Sequence, residues 1–118
     1  MLVSVVIPTY NRLPILKKCL EALENQIFIN EIHDFEIVVV DDGSIDGTTN
    51  WINSNIVNFP HLKLFEQSHG GPAMGRNLGV EKSKGDLIVF IDSDLVVDRY
   101  FLMNHVESLL KAWKKLRN

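Results

Sequence analysis

Asp92-Ser93-Asp94 puts two carboxylates one residue apart at the end of an apolar run, Leu87-Ile88-Val89-Phe90-Ile91, that reads as a buried strand. Like charges that close repel, and partial burial strengthens the repulsion. On an extended segment residues i and i+2 point the same way, so both carboxylates can face one point. A hard divalent cation bound through oxygen, Mg²⁺ or Mn²⁺, relieves the conflict, the more so if it also carries a phosphate group. The ordinary alternative for an isolated D-x-D is an acidic turn that closes a strand.

The elements that must position this pair are legible along the chain. Leu2-Val3-Ser4-Val5-Val6-Ile7 is β-branched and continuous, as in a parallel strand covered on both faces, and Pro8 is expected to end it. After Thr9-Tyr10-Asn11-Arg12, Pro14 suits the first turn of a helix with an apolar stripe of Ile15, Leu16, Cys19, Leu20, Leu23 and Ile27. Past a polar connection, Phe35-Glu36-Ile37-Val38-Val39-Val40 is a second buried strand, ending in Asp41-Asp42-Gly43-Ser44. Asp46-Gly47-Thr48-Thr49 starts a helix through Trp51, Ile52 and Ile56. Leu62-Lys63-Leu64-Phe65 alternates, which suits a sheet edge. Gly70-Gly71-Pro72 opens a third helix, on which Gly75 and Gly79 leave one face smooth enough to approach the sheet closely. The D-S-D strand follows. A final helix carries a core stripe of Phe101, Leu102, Val106, Leu109, Leu110, Trp113 and Leu116 and a basic tail suited to its C-terminus.

The order β-α-β-α-β-α-β-α predicts one α/β domain over residues 1–118, a three-layer α/β/α sandwich around a parallel sheet. In such a sheet all strands end on one edge, where ligands bind at the switch point of strand order. P-T-Y-N, D-D-G-S and D-S-D all end strands there, and the G-G-P loop starts a helix from the same edge. Four polar clusters on one edge make a site.

Taken singly, each cluster reads two ways. Tyr10 can stack on a planar ring such as a nucleobase, or be a surface tyrosine. Asp41 and Asp42 can hydrogen-bond a base and ribose hydroxyls, although Asp-Gly-Ser is also turn chemistry. Arg76 and Asn77, one turn into the third helix, can reach a phosphate, brace the D-S-D carboxylates, or face solvent. The amides after Gly70-Gly71 can cradle an anion. His33, His61, His69 and His105 lack metal-ligand spacing, and of these His69 alone falls near the site.

In this order and spacing, S-V-V-I-P-T-Y-N-R, V-V-V-D-D-G-S-I-D-G-T, G-G-P-A-M-G-R-N-L-G and G-D-L-I-V-F-I-D-S-D resemble the family 2 inverting glycosyltransferases of GT-A fold, nearly throughout the chain up to Asp98. The resemblance implies a Rossmann-like, mainly parallel sheet of order 3-2-1-4 and a site for a nucleotide-diphospho-sugar, such as a UDP-sugar used in glycan synthesis. It implies that Tyr10 packs on the base, Asp42 hydrogen-bonds it and Asp41 supports that loop. Asp92 would face the ribose or sugar. Asp94, with Asp92, would hold Mn²⁺ or Mg²⁺ bridging the diphosphate. Pro8, Thr9, Asn11, Gly71, Arg76, Asn77 and Ser93 complete the expected nucleotide site. Members of the family have a second half that binds the acceptor and supplies a carboxylate base. Nothing in residues 99–118 resembles it, so the expectation is a truncated donor half with no catalytic base of its own.

Composition sets the bounds. At 46% apolar and 23% charged the 118 residues are globular rather than disordered, and a net charge of −3 gives no reason for a nucleic-acid surface. One cysteine cannot form an internal disulfide, so Cys19 reads as a small core residue in a reducing compartment. With no apolar run of spanning length and no basic leader, the expected location is the cytoplasm, a membrane-surface acceptor staying open. The strand Leu87–Ile91 would border the sheet with no Lys, Pro or Gly to discourage pairing, which predicts a homodimer through this strand or the apolar Leu95-Val96-Val97 after it, the strand-paired form being one that a proline at Val89 would break. Three rival readings remain. A haloacid-dehalogenase-like phosphatase would use Asp92 as nucleophile but leave P-T-Y-N and D-D-G-S idle. A nucleotidyltransferase would want a basic Gly-rich loop after the first strand. A non-catalytic nucleotide-binding or protein-interaction module is the third.

Overall fold

Apolar strands without alternation need cover on both faces, and here the helices supply it unequally. In the computed structural model, which describes residues 1–29 and 33–117, the elements are β1 (Leu2–Thr9), α1 (Leu13–Glu24), β2 (Asp34–Asp41), α2 (Thr48–Asn55), β3 (Leu62–Glu66), α3 (Pro72–Lys82), β4 (Leu87–Phe90) and α4 (Phe101–Arg117). Residues 30–32 of the polar connection before β2 lie outside the described residues. All strand pairs are parallel, in the order β3-β2-β1-β4.

The larger core lies on one face. Val3, Val5 and Ile7 of β1 and Ile37 and Val39 of β2 pack there on Leu16, Cys19, Leu20 and Leu23 of α1, Ile52 of α2, and Leu102 and Val106 of α4. The opposite face carries a smaller cluster, Val6, Val38 and Val40, packed by Phe65, Leu78 and Ile88. There α3 lies so close that a Cβ on Gly79 would overlap the side chain of Val6, and one on Gly75 would come within 3.1 Å of Pro8. The two glycines are the smooth face the sequence predicts.

Three expectations need correction. Pro8 does not end β1, which runs on to Thr9, paired with Asp41. Val6 accepts from Ile91 on the β4 side, so by alternation the N–H that Pro8 lacks also faces β4, whose pairing stops at Phe90. Ile15 and Ile27 are exposed and lie outside the buried stripe of α1, and Ile56 is exposed in a short 3₁₀ turn after α2. In α4 only the first two turns pack: Leu109, Leu110, Trp113 and Leu116 are exposed. Leu102 and Val106 are the buried residues of α4, so its outer turns add nothing to the core among the described residues.

Away from the strand ends, a buried carboxylate ties the sheet together. Glu36 of β2 accepts from Ser4 Oγ at 2.5 Å, Lys63 Nζ at 2.8 Å and the Lys84 N–H at 2.7 Å, joining β1, β3 and the loop before β4. Burial pushes its carboxyl up, but these donors outweigh burial and hold it below the usual range.

Candidate functional site

The carboxyl ends of β1, β2 and β4 surround a cavity of about 550 Å³ lined by Pro8, Thr9, Tyr10, Arg12, Asp42, His69, Pro72, Arg76, Asp92, Ser93 and Asp94. Every polar cluster singled out in the sequence contributes to it.

The loops around the cavity are pinned to each other by their polar side chains. Asn11 gives its N–H to Ser44 Oγ at 2.8 Å and takes the Ile45 N–H on Oδ1 at 2.8 Å. Asp46 Oδ2 accepts the Leu13 N–H at 3.0 Å, while Oδ1 accepts from Thr48 at the start of α2. Asn11 therefore braces the loop after β1 and does not line the cavity. Its φ of 49° is one that Asn tolerates. Asp41 is buried, accepts the Ser44 N–H on Oδ2 at 3.0 Å, and also sits behind the cavity wall. Thr9, which does line the cavity, stands opposite Asp41 in the register. Thr9 Oγ1 and Asp41 Oδ1 are buried with no hydrogen-bond partner among the described residues.

Asp42 is the most heavily bonded side chain of the site. Oδ1 accepts from Gln67 Nε2 at 2.7 Å and the Gly70 N–H at 2.8 Å, and Oδ2 from the Gly71 N–H at 3.0 Å. Burial raises its pKa, but Gln67, Gly70, Gly71 and the neighbouring His69 together hold it below the usual carboxylate range. Gly71 thus serves the site through Asp42, and its φ of 97° is open to glycine at little cost. Its amide faces a side-chain anion, so it is not free to cradle a ligand's.

The D-S-D pair does not lie on an extended strand. β4 stops at Phe90, and the Leu95 N–H donates to the Asp92 carbonyl at 3.1 Å, closing a turn. Asp92 and Asp94 are exposed side chains lining the same cavity, with Ser93 buried between them. Convergence survives, produced by a turn rather than by strand alternation. Among the described residues no group of three His, Cys, Asp or Glu is placed to hold a metal by itself. Two carboxylates fit an ion that keeps waters and shares phosphate oxygens, as Mg²⁺ does.

Among the described residues no ion pair joins Arg76 to Asp92 or Asp94, so its guanidinium is available to an anion in the cavity. Asn77, beside it on α3, is exposed and does not line the cavity. Arg12 lines the cavity without a role read from the sequence, and His69 and Pro72, which the sequence places only near the site, line it as well. Arg12 ends the P-T-Y-N-R loop and His69 precedes the glycine pair, so proximity in sequence was the available signal.

Comparison with known proteins agrees with this geometry. Residues 4–116 match the model of the family Glycosyl transferase family 2. A poly(ribitol-phosphate) beta-glucosyltransferase of Bacillus spizizenii is 36% identical over 96 residues, 80% of this chain and 15% of that protein. The glycosyltransferase AglE of Haloferax volcanii is 33% identical over 108 residues, 91% of this chain and 35% of its own length. Among solved structures, S. aureus TarS 1-349 in complex with UDP-GlcNAc superposes with a TM-score of 0.78 at 31% identity, covering 91% of this chain and 30% of that one. The mannosyltransferase PcManGT from Pyrobaculum calidifontis, in complex with GDP-Man and Mn2+, gives 0.69 at 30% identity, over 78% of this chain and 27% of its own. The phosphatase and nucleotidyltransferase readings of the D-S-D find no support here. The sheet order, the convergence of the four motifs and the family match agree, and the chain belongs to glycosyl transferase family 2.

Proposed function

We propose that this chain binds a nucleotide-diphospho-sugar donor in the cavity at the strand ends, as the donor-binding part of an inverting glycosyltransferase. The observation that carries the reading is the composition of one cavity wall: an aromatic ring at Tyr10, acceptors at Asp42, cations at Arg12 and Arg76, and the Asp92/Asp94 pair. Tyr10 stacks the base and Asp42 reads its edge. Arg76 and Arg12 attract the diphosphate, and Asp92 and Asp94 hold Mn²⁺ or Mg²⁺ against it. When bound, the ion offsets the negative charge that gathers on the departing nucleoside diphosphate. With Asp92 and Asp94 committed to the ion and Asp42 to the base, none of the cavity's carboxylates is left to deprotonate an acceptor, so donor binding rather than transfer is assigned to these residues. The setting we propose is the cytoplasm, with a homodimer formed along the free edge of β4.

The test is a nucleotide titration of wild type and Tyr10→Ala by calorimetry. Loss of the stacked ring should cost roughly 1–3 kcal/mol, taking base–aromatic stacking in single-strand binders as the guide. Equal affinity of the two proteins for UDP and GDP would remove Tyr10 from the site.

A further inference from the structure

A nucleobase in this site is expected to make two contacts, a ring stacked on Tyr10 and an N–H given to Asp42. The imidazole of His69 occupies the place of both: its ring lies tilted over Tyr10, and its Nδ1 bonds the Asp42 main chain beside the carboxylate. Its ring centroid lies 4.2 Å from that of Tyr10, with 33° between the planes. Its Nδ1 lies 3.0 Å from Asp42 Oδ2 and 3.2 Å from the Asp42 carbonyl oxygen. A carboxylate and a carbonyl offer only lone pairs, so Nδ1 carries the proton and donates.

Counting acceptor positions sharpens the conflict. A carboxylate has about four lone-pair directions. At Asp42, Gln67 and Gly70 take the two on Oδ1, and Gly71 takes one of those on Oδ2. The position left on Oδ2 lies beside His69, whose Nδ1 is 3.0 Å away while its N–H bonds the Asp42 carbonyl. A base that gives an N–H to that position would have to occupy the space the imidazole fills, just as two rings cannot lie on the same face of Tyr10. Nothing else holds the imidazole among the described residues, and its side chain is 61% exposed, so it can leave toward solvent.

We propose that His69 is a built-in stand-in for the nucleobase, which closes the base site in the free protein and sets nucleotide affinity by competing for Tyr10 and Asp42. The proposal rests on the donor-binding reading above. The ligands it concerns are nucleoside diphosphates whose base carries a ring N–H, such as uracil, thymine and guanine, because these repeat both the stack and the donated proton. Apparent affinity is then the intrinsic affinity scaled by the fraction of molecules with the site open.

The experiment is a calorimetric titration of UDP into wild type and His69→Ala, with proton–carbon spectra of the histidine rings. His69→Ala should bind UDP about 3- to 10-fold more tightly, the reciprocal of the open fraction in wild type. The His69 resonances, displaced by the Tyr10 ring current in the free protein, should move to exposed-imidazole positions as UDP is added, while those of His61 and His105 stay. Unchanged or weaker UDP binding by His69→Ala, or His69 resonances that keep the Tyr10 shift in the UDP complex, would overturn the proposal and leave donor binding standing. No UDP binding by either protein would overturn both.

Discussion

The Sγ of Cys19 lies 3.9 Å from the main-chain carbonyl oxygen of Asp92, so a buried thiol on α1 forms the floor beneath the D-S-D turn. Burial first, and the charge of Asp94 second, push this thiol up to about 11. Thiolate is the reactive form. The folded protein should therefore resist a thiol-exchange reagent at pH 8 and react fully once unfolded in guanidinium. Rapid labelling of the native protein would show that the turn lifts off α1.

Glu36 gives a prediction with a defined pH sign. Its folded pKa lies below the unfolded value of about 4.5. The stabilisation is thus complete above that value and is lost as pH falls through the lowered folded pKa. Glu36→Gln should lower stability at pH 7 by roughly 1–3 kcal/mol, the range for charge-assisted hydrogen bonds. Urea unfolding of the two proteins should converge as pH falls through the lowered folded pKa of Glu36, below which both side chains are neutral. A gap independent of pH would exclude the charge as its origin.

Gly79 opposes two effects of known size. Alanine there would favour the helix by about 1 kcal/mol, but its Cβ would meet Val6, a buried residue of the central strand. Overpacking of that kind costs about 1–3 kcal/mol, so Gly79→Ala should lower Tm. A rise in Tm would mean that α3 can retreat from the sheet.

The β4 edge tests self-association. The Ile91 N–H donates to Val6 of β1, and Val89, two residues earlier, points its N–H the same way. A proline at Val89 would therefore break the β1–β4 ladder, not the free edge. The outward N–H groups are those of Ile88 and Phe90, and the Phe90 side chain is half exposed. Phe90→Pro should leave the monomer folded and abolish a strand-paired dimer, as read by light scattering. Dimers persisting in Phe90→Pro, or a wild type that is monomeric at high concentration, would rule out pairing through this edge.

Much of this architecture was legible because strand continuity, the Gly75/Gly79 pair and the motif order each point to one arrangement. The sheet order came from the resemblance rather than from periodicity. The hidden part is what hydrogen bonding decides. Asn11 and Gly71 look like ligand contacts in the sequence, yet each bonds a neighbouring loop, and Asp41 bonds the turn that follows its own strand. Composition cannot tell a carboxylate facing a ligand from one facing a backbone amide. The outer half of α4 misled for another reason: helical periodicity marks an apolar face without saying how far the surface beneath it extends.

The most direct test of the central claim is the affinity for UDP measured by calorimetry in Mn²⁺ and in EDTA, on wild type and Asp94→Ala. Metal-dependent binding to wild type, with the dependence gone in Asp94→Ala, is the predicted result. Equal wild-type affinity in Mn²⁺ and in EDTA would contradict the role given to Asp92 and Asp94, and no binding in either would contradict the donor site itself.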